Sequence, residues 1–415
     1  MMLPKLSRYA LIILAIVVMS LYLPNLYNKI FDKKTGKTQL FFSPVIKKFM
    51  FREMVGEGHR FVTQDENGKT YDRQSFETLI PFVYYKNMEL WGKLPLTIDG
   101  HVFDKQTIKK NRQVFEFKPR MIADRTPRIQ VFPLFESKPG VTRLRFPKDA
   151  FRMTDRMEFI NVDTNIVDEK MTGQFTQALK QAKFLFPAKL VAGKVSILKP
   201  FDEGFFIVDA GGDLFQIKRA KGQPVIVKIT IPAGINIRSI KIPENKKKEI
   251  YGILLSQKGN LYLISYNKFR LIKMPLINYD PDTMDFKLLI NPLYRTAVYS
   301  SNQTIYSVAM DNLYRPIAQY HRVMFTGKKT MADRVFEVIF PFYIKTMDKT
   351  SGYLQFNTVG SGRLFFIGNA FSLPFAVLIM RTRKFEFKKN WFDLTVVIFT
   401  GLYGLIATII INPEP

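Results

Sequence analysis

The chain has 415 residues, 47% of them hydrophobic and 14% aromatic, which excludes a disordered linker. Its formal charge of +27 suits polyanions such as anionic lipid or glycan, but the scattered basic residues lack the basic–aromatic signature of nucleic-acid modules, so no nucleic acid is expected. Having no cysteine, it has no disulfides, thiol nucleophiles or cysteine-held metals.

Lys5 and Arg8 precede an apolar run, Tyr9–Asn28, close to the length a bilayer core requires. Pro24-Asn25-Leu26-Tyr27-Asn28 offers no small–x–small cleavage site. The run therefore reads as an uncleaved anchor with its N-terminus in the cytoplasm. Leu40–Met54, apolar and basic, reads as an amphipathic segment at the membrane surface.

Phe61–Thr63 and Lys69–Tyr71 flank Asp65-Glu66-Asn67-Gly68 as a hairpin, Asn-Gly supplying the positive φ angles of the turn. Ser75–Leu90 has helical apolar spacing through Phe76, Leu79, Ile80 and Val83, with Pro81 starting or kinking the helix. Lys105–Arg112 reads as a short helix leading into a strand, Val114–Phe117. Ile129–Glu136 and Val141–Phe146 read as two strands around Ser137-Lys138-Pro139-Gly140. Asp163 or Thr164 caps a longer helix whose stripe is Val167, Met171, Phe175, Leu179 and Ala182.

Beyond that helix the pattern becomes repetitive. Phe205–Ile217, Tyr251–Ile264 and Ala297–Val308 each read as strand, turn, strand, their Leu214-Phe215, Leu261-Tyr262 and Ile305-Tyr306 pairs recurring about every 45 residues. That period fits four-stranded propeller blades; an irregular antiparallel sheet or sandwich is the alternative. The Ile129–Phe146 hairpin could supply a fourth copy.

Two further apolar runs close the chain, Leu364–Met380 and Leu394–Asn412. Between them Arg381, Arg383, Lys384, Lys388 and Lys389 crowd a short connector, which the positive-inside tendency assigns to the cytoplasm. Three spans then place the long middle and the tail Pro413-Glu414-Pro415 outside. Asn369, Gly401 and Gly404 are polar or small positions within these runs, suited to packing between helices or to docking another membrane subunit.

The fold class expected is thus membrane-anchored α+β to mostly β. Three transmembrane helices, one N-terminal and two C-terminal, surround a large extracytoplasmic domain with antiparallel, propeller-like repeats. The expected regions are residues 1–28 (tip and anchor), 29–184 (α+β), 185–330 (β-rich repeats), 331–362 (membrane-proximal) and 363–415 (helix pair with a basic loop).

Catalytic chemistry is sparse. His59 near Glu57 and His101 between Asp99 and Asp104 lack helical zinc spacing, and His321 stands alone. Asp280, Asp282 and Asp285 lack the turn glycine and distal glutamate of a calcium loop, and Asp209 and Asp213 flank a Gly-Gly turn. No nucleophile elbow or phosphate loop occurs, so no cofactor, metal or catalytic residue is expected. Paired carboxylates of the glycosidase kind are not readable from sequence.

The layout, with Asp65-Glu66-Asn67-Gly68-Lys69-Thr70-Tyr71-Asp72 and Leu79-Ile80-Pro81-Phe82, resembles uncharacterised bacterial membrane proteins grouped as domain-of-unknown-function family 4857. Members of that family tend to accompany ABC-transporter components. The resemblance implies a non-catalytic accessory or substrate-handling subunit in the bacterial inner membrane, with an ATPase and a permease as partners. A membrane-anchored envelope hydrolase acting on glycans or lipids is the alternative.

Overall fold

The computed structural model describes residues 2–31, 38–55, 60–324, 329–346, 348–383 and 391–412. The chain forms two compact units. One comprises Met1–Lys37, Met54–Arg60 and Phe325–Pro415; the other comprises Thr38–Glu53 and Phe61–Met324.

The apolar anchor is helix α1 (Met2–Phe31). Strands β1 (Gln39–Phe42), β2 (Phe49–Met54) and β3 (Phe61–Asp65) form a three-stranded sheet. This corrects the amphipathic segment expected over Leu40–Met54. Leu40 and Phe42 alternate with less buried neighbours at a period of two, and with Phe49 and Phe51 they cover Ile305 and Ala309. The Asn-Gly turn forms, with Gly68 at φ +85°, but its return arm contributes a single bridge, Gln64 to Thr70.

Asp72 caps α2 (Arg73–Leu79), Pro81 interrupts the helical spacing, and α3 (Tyr85–Leu90) follows. Strands β4 (Leu96–Ile98) and β5 (His101–Phe103) pair around Asp99-Gly100. Asp104 caps α4 (Lys105–Asn111), which leads into β6 (Gln113–Phe117). The hairpin expected over Ile129–Phe146 does not form. Pro133 lacks a donor, and the segment makes isolated bridges to Phe151 and Arg219 while Leu134 fills the core.

Strands β7 (Asp149–Met153) and β8 (Met157–Asn161) make a hairpin covered by α5 (Glu169–Gln181). The cap is Asp168 rather than Asp163 or Thr164, because the Asn161 side chain takes the amides of those two residues in a turn. Val167 stays extended against Ile160. Phe175 and Leu179 are fully buried, and the hydroxyls of Thr172 and Thr176 accept the Phe159 and Met157 amides that would otherwise be lost at the strand edge.

All three repeats appear as the central strands of antiparallel meanders. The first is β9 (Leu190–Gly193), β10 (Phe205–Val208), β11 (Leu214–Ala220) and β12 (Gln223–Ile229). The second is β13 (Ile237–Lys241), β14 (Ile250–Ser256), β15 (Leu261–Ser265) and β16 (Leu271–Lys273). The third is β17 (Asp285–Ile290), β18 (Arg295–Ser300), β19 (Thr304–Met310) and β20 (Pro316–Val323), with β6 added beside β17. Alternation decides the stacking. Phe206 and Val208 meet Leu254 and Ile264, whereas Ile253 and Leu255 on the opposite face of β14 meet Leu288 and Ala297. On its other face the first meander packs Phe205 and Ile207 against Phe151 and Phe175. The pairing of β6 with β17 makes residues 29–184 and 185–330 share one sheet.

The chain continues through α6 (Met331–Ile339), the hairpin β21 (Phe342–Lys345) and β22 (Asn357–Gly360), and α7 (Phe365–Thr382). Among the described residues, α1 and α7 are the helices long and apolar enough to cross a bilayer. The last apolar run is a correction to the expected third span. It forms two short helices, α8 (Trp391–Thr400) and α9 (Leu402–Ile410), broken at Gly401. Arg8 touches both Asp393 at the start of α8 and the Ile411 carbonyl just past α9, so the two helices double back. Each arm is about 15 Å long, half the thickness of a bilayer core. Asn412, the last described residue, lies beside Arg383 at the end of α7.

Candidate functional site

In the helical unit, polar groups meet at both the root and the tip of the α8–α9 hairpin. At the root, the Arg8 guanidinium donates to Asp393 Oδ2 at 2.6 Å and to the Ile411 carbonyl at 3.3 Å. Both side chains are about nine-tenths buried, at 11% and 7% exposure. A buried charge without its partner costs several kcal/mol, so each makes the other tolerable. Asp393 Oδ1 is buried and has no partner.

At the tip, Asn369 Nδ2 on α7 donates to the Ile398 carbonyl at 2.7 Å, covering one of the carbonyls that the helix end leaves open. Gly401 has φ +54° and ψ −125°, and a Cβ there would stand 2.5 Å from Asn369 Oδ1. At Gly404 a Cβ would come within 2.4 Å of Thr400 Oγ1 and 2.9 Å of the Val396 carbonyl, so the arms touch backbone to backbone. The three small or polar positions are thus brought together. Lys5 and Arg381 are exposed, while Arg383 reaches the Ile409 carbonyl; Lys384, Lys388 and Lys389 lie outside the described residues. Sequence reasoning missed Asp393, which directly precedes the apolar run. Its opposite charge to Arg8, at the matching end of another apolar segment, was the available signal.

In the other unit, three carboxylates converge between the first and second meanders. Lys199 Nζ donates to Asp202 Oδ1 at 2.5 Å, Glu244 Oε1 at 3.1 Å and the Lys194 carbonyl at 2.9 Å. Asp202 Oδ2 accepts from Ser137 Oγ at 2.6 Å and the Gly204 amide at 3.1 Å. The Glu203 amide donates to Glu244 Oε1 at 2.7 Å, and its carboxylate takes Lys218, Gln216 and Tyr266. Burial raises the Glu244 carboxyl to about 7, Lys199 opposing, and Glu244 Oε2 has no partner. Burial beside Glu203 also raises the Tyr266 hydroxyl. The three acidic side chains are at most 6% exposed and lysine-bridged, an arrangement that ties β9–β12 to β13–β16.

The remaining sequence candidates sit apart. Asp282 pairs with Arg238 and Arg125, and Asp280 caps its own turn by accepting from the Asp282 amide and Thr283 Oγ1. Asp209 accepts the Asp213 and Leu185 amides in the β10–β11 turn. His101 Nδ1 faces the Asp99 carbonyl, His321 stacks on Tyr306, and His59 lies outside the described residues. Among the described residues no group of three or more His, Cys, Asp or Glu is placed to hold a metal.

A family model described as Domain of unknown function (DUF4857) matches residues 39–310. No curated protein matches. Among solved structures, dihydro-heme d1 dehydrogenase NirN in complex with DHE is 10% identical with a TM-score of 0.28, covering 71% of this chain and 52% of that one. A structural genomics protein of unknown function from Bacteroides thetaiotaomicron VPI-5482 is 11% identical with a TM-score of 0.22, covering 66% and 69%. The chain spans about half the length of the NirN chain, and at such TM-scores neither likeness carries an argument.

Proposed function

The chain belongs to the DUF4857 family, and we propose that it is a membrane-anchored, non-catalytic accessory subunit of a cell-envelope transport system of the ABC type. In this reading α1 and α7 cross the bacterial inner membrane, and the cation-rich connector faces the cytoplasm. The stacked meanders form a propeller-like extracytoplasmic domain that offers basic surface to an anionic lipid or glycan, or to a permease and its ATPase. The observation that carries the reading is the disposition of charge. Asp202, Glu203 and Glu244 are consumed inside the domain by Lys199 and Lys218, whereas Arg143, Arg145, Lys148, Lys268, Arg270 and Lys273 stand exposed. What the domain presents to solvent is therefore cationic binding chemistry rather than open acid–base chemistry. Affinity purification in mild detergent tests it: repeated recovery of an ATPase and a permease is the expected result, and recovery of the chain alone contradicts it.

A second reading, an envelope hydrolase for glycans or lipids, draws on the same convergence of carboxylates and on the raised Glu244. It requires Glu203→Gln or Glu244→Gln to abolish a hydrolytic activity while the variant remains folded. The accessory-subunit reading requires these variants to alter stability alone.

A further inference from the structure

Two helices of the helical unit measure the depth of the β21–β22 hairpin independently. Along α1, Arg8 lies at the root of the α8–α9 hairpin, and Tyr27 Oη donates to the Ala332 carbonyl of α6 at 3.0 Å. From Arg8 to Tyr27 the helix rises about 28 Å. Along α7, Arg383 marks the same root end, and the helix begins at Phe365, just after β22. From Phe365 to Thr382 it rises about 27 Å. The Val338 carbonyl of α6 packs directly against Gly368 near the start of α7, where a Cβ would not fit. Both lengths match a bilayer core of roughly 30 Å. If α1 and α7 span that core, α6 and the hairpin stand at its far rim.

Lys345 and Asn357 close the ladder of the hairpin, and the connection beyond them carries Tyr353, Leu354 and Phe356. These side chains are 44%, 66% and 68% exposed. Folding of the chain thus leaves three large apolar groups uncovered on one connection, and such a close-set patch marks an interaction surface. Exposed Lys349 stands in the same connection and exposed Arg363 at the hairpin's base, while Asp348 is taken up by Lys345 and the Thr350 amide. Exposed apolar surface continues onto α7 through Phe366 and Phe371.

We propose that the β21–β22 hairpin dips into the lipid leaflet farther from Arg383. Tyr353, Leu354 and Phe356 enter the upper acyl region, and Lys349 and Arg363 meet the phosphates. Aromatic groups beside long cationic side chains suit the boundary between hydrocarbon and headgroups, where ring and stem are buried and charge stays wet. Lipid is the occupant rather than another protein because the patch is level with the rim and continuous with the apolar outer face of α7. The inference rests on the reading of α1 and α7 as spans.

Without native cysteines, the full chain can carry an environment-sensitive NBD fluorophore on Leu354→Cys, Phe356→Cys, Ile13→Cys in α1 or Lys258→Cys in the β14–β15 turn. All four positions are exposed, and gel filtration with thermal unfolding confirms that each variant is folded. The labelled protein is placed in nanodiscs of phosphatidylcholine, or of phosphatidylcholine brominated near the top of its acyl chains. Bromination should at least halve the emission from Leu354→Cys, Phe356→Cys and Ile13→Cys and leave that from Lys258→Cys unchanged. Undiminished emission from the two hairpin positions, with Ile13→Cys quenched, overturns the proposal and leaves the anchor standing. Blue-shifted but unquenched emission there also overturns it, because protein then covers the patch. An unquenched Ile13→Cys refutes the anchor, and the inference falls with it.

Discussion

Two buried acids answer to different solvents and predict different behaviour. Glu244 is held protonated up to a pH of about 7, against about 4.3 for an unperturbed glutamate. The folded state binds the extra proton between those values, so the stability this proton contributes is present below the lower value and is lost as pH rises through the upper one. The thermal midpoint of the domain should fall between pH 5 and pH 8, corresponding to a change on the order of 3 kcal/mol. Glu244→Gln should flatten that slope, and an unchanged slope would contradict the assignment. Asp393 depends on a partner instead. Removing Arg8 alone should destabilise the helical unit by about 3–5 kcal/mol, and Arg8→Met with Asp393→Leu should recover most of the loss, as a double-mutant cycle in detergent would measure.

Among the elements, the α8–α9 hairpin is the most sensitive to a single atom. A Cβ at Gly401 meets Asn369 at a φ that side chains rarely adopt, and a larger residue at Gly404 meets the opposing backbone. Gly401→Val and Gly404→Leu should each cost about 2–4 kcal/mol and increase proteolysis of the C-terminal segment, whereas Gly259→Ala, in a turn where a Cβ meets only Pro281 at 3.6 Å, should cost about 1 kcal/mol. Much of the domain was legible at this scale. The short helix before β6, the break at Pro81 and the three strand–turn–strand repeats all follow from local chemistry that tertiary packing did not override. Ile129–Phe146 failed because Pro133 and its neighbours satisfy their backbone singly with distant strands. The hairpin was illegible for a different reason: an apolar run has the same composition whether it crosses a bilayer or turns at its middle. The glycine at 401 was the local signal, and only its observed positive φ and the contacts of Arg8 give it meaning.

For the whole molecule, the carboxylate cluster shows why a candidate site escapes a linear reading. Lys199, Asp202 and Glu203 are near neighbours, but Glu244 and Tyr266 reach them only after two meanders have stacked. The proposed topology is a statement about sidedness: it puts the domain outside the inner membrane, and the connector and the tail on the cytoplasmic face. The chain has no cysteine, so single cysteines at Lys258, Lys388 and Pro415 can be labelled in intact spheroplasts with a membrane-impermeant maleimide. The account predicts rapid labelling of Lys258→Cys, and labelling of Lys388→Cys and Pro415→Cys only after permeabilisation. Labelling of Pro415→Cys in intact spheroplasts would contradict the hairpin, and labelling of Lys388→Cys there would invert the orientation.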